Sequence, residues 1–384
     1  MSLDSTAHTM SRIVFLLVVL LCSSLRASAA PSEENYLSRL QDTIARNRSN
    51  LAAVAKSAGN AAAEYLSGGN IWAAGRQADF IAEACGRAGG LMVIAPLGGR
   101  VPARHDIILY AVPGALEQDD LKMINQWQEK GATVIQFSSP DGTLDDHFPI
   151  DTVANIIALW TWTGEFVAAC TRLGQMPVLY QSIGLPGGPE RAKKYQGKRF
   201  HEDLAVKHIA AAVLGREYLN QIQRMLAKIH ETQMTKIHKA AKWWSQVPKA
   251  SAIVLVTGHM FPAHTQDPRT LQMSDFAAIP AWTNKDFLDA GHPPAFVLYL
   301  GYQFAPRKLL DQALAMGVKL VYTDVQPAQP PEPASHILYL DPAWPLADGC
   351  VTVSGYDVPI LPSSGVIQAA IYWTIASERA RLSP

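Results

Sequence analysis

Three side chains that can transfer protons occupy comparable places in the two halves of the sequence. His259 follows an apolar run that ends in a glycine, and Glu165 and Glu378 each lie five residues after a tryptophan. Histidine exchanges a proton near neutral pH, and two carboxylates that face one cleft can act as general acid and general base. His259, Glu165 and Glu378 are therefore the candidate catalytic residues. The alternative is that the histidine caps a turn and the glutamates are exposed or lie beside the tryptophans.

A second set of residues could bind a ligand at turns that follow predicted strands. Gly75 ends a short apolar run, and a glycine turn between a strand and a helix leaves backbone N–H groups free to bind an anion. Arg76 adds a fixed charge with a planar, bidentate donor set. Two serine pairs supply hydroxyl groups near the same predicted edge, although turns and helix N-caps use serine as well. The candidate ligand-binding residues are Gly75, Arg76, Gln77, Ser138, Ser139, Gly258, Ser363 and Ser364.

Metal ions and nucleotide cofactors are not expected. His259, His264 and His292 lack the HExxH spacing, and the sequence has neither paired CxxC motifs nor an acidic triad at ligand spacing. A GxSxG motif around a serine nucleophile is also missing from the sequence. The turn at Gly75 lacks the second glycine that lets a backbone approach a pyrophosphate. The sequence therefore predicts a site without a metal or a cofactor.

The elements that must position these residues are alternating strands and helices. Residues 71–74 form an apolar run that is too short for a helix and is bracketed by glycines, which favours a strand. The turn at Gly75 is followed by apolar residues that recur at intervals of three and four, which is typical of one helical face. The residues of that face are Phe80, Ile81, Ala84, Cys85 and Ala88.

The same order of elements occurs twice in the sequence. Tyr36 and Tyr218 each open a long helical pattern and are 182 residues apart, and Gly75 and Gly258 are 183 residues apart. Such self-similarity predicts a tandem duplication of one α/β unit. Further matching pairs are the predicted strands at 107–110 and 296–299, those at 131–135 and 317–321, and the closing helices with Trp160 and Trp373.

Alternating strands and helices at this spacing predict parallel sheets with helices on both faces. The expected fold is α/β, with two tandem doubly wound, flavodoxin-like domains that arose by duplication. Residues 32–175 form the first domain and residues 205–384 the second. Residues 176–204 are interpreted as a linker, since they carry a Gly/Pro cluster and a basic run that is typical of a solvated surface. At the end of this linker, Phe200-His201-Glu202-Asp203 either adds to the site or begins a helix.

A long helix followed by Gly68-Gly69-Asn70-Ile71-Trp72-Ala73-Ala74-Gly75-Arg76 and a small-residue helix resembles the sugar isomerase (SIS) domain. In this comparison Arg87 stands at the arginine position of the family's helix, and Thr257-Gly258-His259 resembles a variant of the same turn. The resemblance extends over nearly all of the chain after its first 31 residues. It implies an SIS-type fold, a sugar derivative as ligand, and two units that together form one module.

The sequence departs from the SIS pattern where the family holds the phosphate of its sugar. SIS proteins usually do this with serine and threonine hydroxyls in two loops, but Gln77 stands where the first serine would be. Neither 112–117 nor 300–304 carries a hydroxyl cluster for the second loop. Two functions follow. The chain either binds a sugar derivative (a sugar phosphate or an amino sugar), with or without isomerising it, or is a noncatalytic binding or scaffold protein on an eroded SIS fold. The expected partner is a small molecule, and a homodimer is left open.

Composition and the N-terminal segment indicate the cellular setting. Lys plus Arg and Asp plus Glu both total 33, so net charge gives no reason to expect nucleic acid or an acidic membrane as a partner. Arg12, the apolar run at 13–21 and Ala27-Ser28-Ala29 are typical of a signal peptide over residues 1–29. We expect a secreted or periplasmic protein that begins near Ala30 and has no membrane association after cleavage. Three cysteines that follow the leader are expected to stay unpaired: Cys85, Cys170 and Cys350.

Overall fold

The computed structural model describes residues 36–138, 148–204, 206–248, 251–257, 270–273, 294–303, 307–325 and 334–382. The helices of this part of the chain are α1 (Tyr36–Ser49), α2 (Leu51–Leu66), α3 (Ala78–Ala84), α4 (Gln118–Glu129), α5 (Asp151–Arg172), α6 (Gly188–Tyr195), α7 (Leu214–Ser245), α8 (Arg307–Met316) and α9 (Ser364–Leu382). The strands are β1 (Ile71–Gly75), β2 (Ile94–Pro96), β3 (Ile107–Ala111), β4 (Thr133–Phe137), β5 (Ala252–Thr257), β6 (Thr270–Met273), β7 (Phe296–Leu300), β8 (Lys319–Thr323), β9 (Ile337–Leu340), β10 (Gly349–Val351) and β11 (Ile360–Pro362).

Each half of the chain supplies one parallel sheet. The first sheet has the order β2-β1-β3-β4 and the second has the order β6-β5-β7-β8-β9, with a separate antiparallel pair of β10 and β11. In each large sheet the strand order reverses beside the first strand, between β1 and β3 and between β5 and β7. At such a switch point the connections leave toward opposite faces, and a crevice opens at the C-terminal edge of the sheet. The predicted doubly wound α/β fold is confirmed.

The middle strands are buried on both faces because helices cover both sides of each sheet. In β3, Ile107 and Leu109 belong to the main core, whereas Ile108 and Tyr110 belong to a smaller cluster under α4. Strand β7 alternates in the same way between the main core and a cluster under α8. A strand that packs on both faces is apolar at every position rather than at every second one, as these two sequences are.

The main core joins the two halves of the chain. Helix α1 packs against α7 and α9, and α5 packs against both α2 and α7. Apolar side chains of all five helices belong to one cluster, and residues 36–384 form one compact unit. The helices between the sheets are therefore shared. The predicted boundaries of two separate domains stay a prediction.

Helix α5 is the most buried long element of the described structure. It is the one described helix that is long and apolar enough to cross a membrane, but it lies inside the protein. Its length and composition are those of a core helix, which is apolar on all sides because it is surrounded. Cys170 lies on this helix, and it is a free thiol like Cys85 and Cys350.

The helix after β1 is shorter than predicted. Helix α3 ends at Ala84, Cys85 has an extended backbone, and Gly86 and Gly89 have positive φ angles of 78° and 83°. A Cβ atom at Gly89 would lie 3.0 Å from the backbone nitrogen of Leu361 in the second half. The glycines turn the chain out of the helix and let it approach the second half closely.

Candidate functional site

The C-terminal edge of the first sheet holds Gly75, Arg76 and Gln77. Gly75 has a φ angle of 117°, and a Cβ atom there would lie 2.0 Å from the carbonyl oxygen of Ala111 at the end of β3. A side chain would therefore force β1 and β3 apart. The backbone N–H of Gln77 donates to the same carbonyl at 3.2 Å. The turn therefore lies at the switch point between β1 and β3.

Arg76 is already paired within the first half. Its Nε and Nη2 atoms donate to the Asp120 carboxylate at 3.2 and 3.0 Å, and its Nη1 atom lies 3.0 Å from Glu117 Oε1. Burial acts to raise the pKa of Asp120, but hydrogen bonds from Arg76 and Tyr110 hold that pKa below its usual value. Two carboxylates at the start of α4 thus neutralise the charge that was predicted to bind an anion.

Gln77 fills the crevice beside Arg76. Its Nε2 atom donates to the carbonyl of Thr152 at 3.0 Å, and its Oε1 atom accepts from Asn155 Nδ2 at 2.7 Å. Asn155 also donates to the carbonyl of Val112, directly after β3, at 2.9 Å. Both amide side chains are buried. The chain's own amides therefore occupy the place where open α/β sheets bind ligands.

A matching contact occurs at the second sheet. Gln368 of α9 donates through Nε2 to the carbonyls of Leu300 and Gly301 at 2.9 and 3.1 Å, at the end of β7. Gln368 lies five residues before Trp373, as Asn155 lies five residues before Trp160. The same position of the closing helix therefore donates to the end of β3 in the first half and to the end of β7 in the second.

The first strands of the two sheets end at different places relative to their neighbours. Gly75 pairs with the last residue of β3, whereas Val256 pairs with the last residue of β7. Gly258 follows Val256 by two residues. Strand pairing therefore aligns Gly75 with Val256, two positions before the Gly258 with which the sequence pattern aligns it.

Three buried side chains at the edge of the second sheet carry four oxygen atoms that lack hydrogen-bond donors within the described ranges. Asp324 follows β8 directly, and neither of its carboxylate oxygens has a partner. The Oε1 atoms of Gln303 and Gln368 are also without donors. Burial raises the pKa of Asp324 to about 7. Sequence analysis missed Asp324, although a carboxylate directly after a buried strand was a visible signal.

Ser363 and Ser364 open α9, but their backbone groups are already bound. Asp348 Oδ1 accepts from both N–H groups, at 3.0 and 2.8 Å, and Asp348 Oδ2 accepts from Arg87 Nη2 at 2.9 Å and from Tyr302 Oη at 3.0 Å. Arg87 also donates to Ser364 Oγ at 2.6 Å. This cluster, here called the seam network, is buried and joins the first half to the second.

Glu83 extends the seam network on the first-half side. Its Oε2 atom lies 3.4 Å from Arg87 Nε, and its Oε1 atom accepts from Trp160 Nε1 at 3.1 Å. Burial raises the pKa of Glu83 to about 7 against the opposing effect of Arg87. The seam network therefore contains one arginine between two buried carboxyl groups.

The candidate catalytic glutamates lie in different surroundings. Buried Glu165 accepts from the backbone N–H groups of Ala212 and Gly215 at 2.6 and 2.8 Å, at the start of α7. Glu378 forms an ion pair with Arg381 at 3.0 Å and lies 3.4 Å from His238 Nε2. Gly215 and His238 are separated along α7 by roughly 34 Å, at 1.5 Å per helical residue. The two glutamates therefore do not form an acid–base pair in one cleft.

The remaining candidates are only partly described. Ser138 lies directly after β4 and is half-buried, at the position in the first half that Asp324 occupies after β8 in the second. Ser139, Gly258 and His259 lie outside the described residues.

The connecting segment is not a wholly solvated linker, so that prediction is wrong for Arg191. This arginine is buried, donates to the carbonyl of Leu179 at 3.3 Å and to Tyr356 Oη at 2.9 Å, and is ion-paired with Asp357. His201 Nε2 lies 3.1 Å from the same tyrosine oxygen, and burial lowers the pKa of this histidine. The segment is held against the second half by these contacts.

The geometry defines an α/β protein with two doubly wound parallel sheets and a shared helical core. No family model and no curated protein matches the sequence. Similar solved structures include a protein of Salmonella typhimurium LT2 provisionally assigned as sugar-binding, which is 10% identical over 91% of this chain and 100% of its own, with a TM-score of 0.47. Another is the C-terminal domain of glucosamine-fructose-6-phosphate aminotransferase from Francisella tularensis, 9% identical over 92% of this chain and 98% of its own, with a TM-score of 0.48. The fold class rests on the sheets and helices described above and not on these likenesses.

Proposed function

We propose that the protein binds a sugar derivative without isomerising it, and that the C-terminal edge of the second sheet is the binding site. The observation that carries the proposal is the asymmetry between the two edges. Gln77 and Asn155 fill the crevice of the first sheet. At the second sheet, buried acceptors lack donors within the described ranges.

The free acceptors favour a ligand that is rich in hydrogen-bond donors. A buried oxygen without a donor loses its hydration with nothing in return, so a bound hydroxyl or amine that supplies the donor stabilises the complex. Sugars present several such groups on a compact frame. The resemblance of the sequence to SIS domains supports a sugar among the donor-rich ligands.

Isomerisation of a sugar requires a base that removes a proton from carbon and an acid that returns one. Both oxygens of Glu165 accept backbone N–H groups. Glu378 is ion-paired with Arg381 and lies beside His238, about six helical turns away along α7. Arg76, which would hold a phosphate, is neutralised by Asp120 and Glu117. These contacts favour the noncatalytic alternative over an isomerase.

A duplication of one unit is part of the proposal. The matching contacts of Asn155 with the end of β3 and of Gln368 with the end of β7 support it. Thr161 and Thr374 add a further match, since each hydroxyl donates to the carbonyl four residues earlier, at 2.7 and 2.6 Å. In a duplicated protein, one copy of a site can lose ligand binding while the other retains it. Export through the N-terminal leader is likewise proposed from the sequence.

Calorimetric titration with glucose, glucosamine and glucose 6-phosphate tests the binding site, and deuterium exchange at carbon 2 of the same sugars tests catalysis. We expect at least one of the two phosphate-free sugars to bind, and no sugar to take up deuterium. Gln368→Ala should weaken binding, because this change disturbs the second edge, whereas the matched variant Asn155→Ala should not. Protein-dependent deuterium uptake, or binding that responds to Asn155 rather than Gln368, would refute the proposal.

A further inference from the structure

Asp324 is the least compensated charged group in the described part of the protein. Its side chain is fully buried, and neither carboxylate oxygen has a hydrogen-bond partner among the residues that the structure describes. The backbone at this position is well held, because the Asp324 carbonyl accepts from Tyr339 Oη at 3.0 Å. Buried carboxylates are otherwise paired with a cation or saturated with hydrogen bonds, since burial of an isolated charge is strongly unfavourable.

Two other buried carboxylates in the described part of the protein, Asp120 and Asp348, have such partners. Asp120 accepts from Arg76, Tyr110 and the backbone of Glu117. Asp348 accepts from an arginine, a tyrosine and two backbone N–H groups. Asp324 differs from both, and this difference points to a partner that arrives from outside the chain.

Asp324 also has a defined place at the ligand-binding edge. Leu300 and Thr323 pair at the ends of β7 and β8, and the Gly301 amide donates to Thr323 Oγ1 at 3.1 Å. Gly301 and Asp324 are thus the next residues on adjacent strands. Gln368 donates to the Gly301 carbonyl, which places its amide at the same edge.

The two amides of this edge present oxygen and not nitrogen to a ligand. The Nε2 atom of Gln368 donates to two main-chain carbonyls, and that of Gln303 donates to Leu346 O and Ser182 Oγ. Carbonyl oxygens only accept hydrogen bonds, so the orientation of both amides is determined. Their Oε1 atoms therefore remain as acceptors near the end of β7, the neighbour of the strand that Asp324 follows. Such a set repels a phosphate and matches an ammonium group, which has three donors and no acceptor.

We infer that Asp324 makes the edge of the second sheet specific for a ligand that carries a protonated amine, as an amino sugar does. The inference rests on the proposed function and names its ligand class. The amine forms an ion pair with the Asp324 carboxylate, and hydroxyl groups of the same ligand donate to the amide oxygens. One carboxylate supplies one negative charge, which a monovalent ammonium balances. The described residues hold no group of three metal-ligating side chains that a divalent ion would prefer.

Matched pairs of sugars test the inference by calorimetry at about pH 7, where an amino sugar retains a cationic form. The pairs are glucosamine with glucose and galactosamine with galactose, and N-acetylglucosamine serves as a neutral analogue. We expect the better amine to bind at least about tenfold more tightly than its neutral counterparts, the effect of one charge-assisted hydrogen bond. In Asp324→Asn this preference should fall to about twofold or less, since the charge is lost and the shape is retained.

Asp341→Asn is the matched control variant. Asp341 follows β9 as Asp324 follows β8, but its carboxylate pairs with Lys228 at 2.8 Å on the surface. This variant should keep the full preference for the amine. Thermal unfolding of Asp324→Asn without ligand should show a Tm no lower than that of the natural protein, which excludes misfolding as the cause of lost preference.

The outcomes separate the two proposals. If neutral sugars bind as tightly as their amines, or if Asp324→Asn keeps the preference, the inference fails while the proposed function stands. If no sugar of either kind binds, both fail. A rise in Tm with magnesium or calcium ions that Asp324→Asn abolishes would assign the carboxylate to a metal and overturn the amine.

Discussion

At the scale of single residues, the partners of the charged groups distinguish a structural role from a binding role. Arg76 was the strongest candidate for binding an anion, but its guanidinium is satisfied by Asp120 and Glu117. Asp324 is not marked by any sequence motif, yet its carboxylate is buried and has no hydrogen-bond partner among the described residues. Judged by residue type alone, Arg76 would be the binding residue and Asp324 would not, which is the opposite of what their partners indicate.

Replacement of Arg76 by alanine should affect stability rather than ligand binding. Asp120 is nearly buried and would lose two of its charged hydrogen bonds. The expected loss in the free energy of unfolding is about 1–3 kcal/mol, measured by urea denaturation. Glu117→Gln is the control, because this carboxylate is mostly exposed, and it should change stability by about 1 kcal/mol or less. Weaker binding of an anionic sugar by Arg76→Ala, at unchanged stability, would restore Arg76 to the ligand site.

The stability difference between Asp324→Asn and the natural protein should depend on pH. Burial raises the pKa of Asp324 to about 7, so between its usual value and pH 7 the folded state binds more protons than the unfolded state. This carboxyl group therefore destabilises the fold increasingly as pH rises. We expect the variant to gain about 1–3 kcal/mol relative to the natural protein between about pH 5 and pH 8. The tyrosines coupled to this carboxyl, Tyr322 and Tyr339, titrate well above that range. Urea unfolding at several pH values measures this difference. If the stability difference between the two proteins does not change with pH, the raised pKa of Asp324 is contradicted.

At the scale of elements, the N-termini of α7 and α9 are satisfied by carboxylates of the protein itself. Asp348 accepts the first N–H groups of α9, and Glu165 accepts N–H groups at the start of α7. The orphan N–H groups of a helix N-terminus carry partial positive charge, and a carboxylate satisfies them well. Both helices are thereby attached to distant parts of the chain instead of to an anion.

The seam network should be a sensitive point of this arrangement. Arg87→Met would leave buried Asp348 and Glu83 without their cation, and breaking a buried ion pair typically costs about 3–5 kcal/mol. Arg381→Met is the control, since Arg381 pairs with Glu378 near the surface, and it should cost about 1 kcal/mol or less. Urea unfolding of both variants measures the difference. Equal small losses would show that the seam network contributes little.

At the scale of the whole molecule, the two sheets share one helical core. Helix α1 of the first half packs on α7 and α9 of the second, and apolar side chains from both halves belong to a single cluster. A domain that stands alone needs its own core. We therefore expect that the duplicated pattern of the sequence does not give two units that fold independently.

A fragment of residues 30–213 should fail to fold by itself. Without α7 and α9 it would expose the apolar faces of α1 and α5 to water. Near-ultraviolet circular dichroism and urea unfolding of this fragment should lack a cooperative transition, whereas residues 30–384 should unfold cooperatively. A cooperative transition of the fragment would instead support two separate domains.

The leader sequence gives a prediction for the mature protein. Mass spectrometry of material exported by cells should show a chain that begins near Ala30. Alkylation under denaturing conditions should modify Cys85, Cys170 and Cys350, which are free thiols in the structure. Retention of residues 1–29 would refute the predicted cleavage. A disulfide that protects two of the thiols would contradict the thiol assignment.

The class of the fold was contained in local patterns of the sequence. A run such as Ile107–Ala111 is apolar at every position. Along the sequence, such strand patterns alternate with helical patterns at the spacing of α/β proteins. These signals are local, because a strand or a helix reports its own burial through neighbouring residues. The early end of α3 is an exception. The apolar spacing predicts a longer helix, but Gly86 and Gly89 have positive φ angles and the chain there lies close to the second half.

The roles of the polar residues were decided by tertiary structure. Arg76 meets Asp120 across 44 residues, Asn155 meets Gln77 across 78, and Arg87 meets Asp348 across 261. No local pattern encodes such pairs, because each depends on how helices and sheets pack together. Whether a charge is neutralised, as in Arg76, or left without a partner among the described residues, as in Asp324, is a property of that packing. The sequence could place both residues at sheet edges, but only the packing could show at which edge buried acceptors lack donors among the described residues.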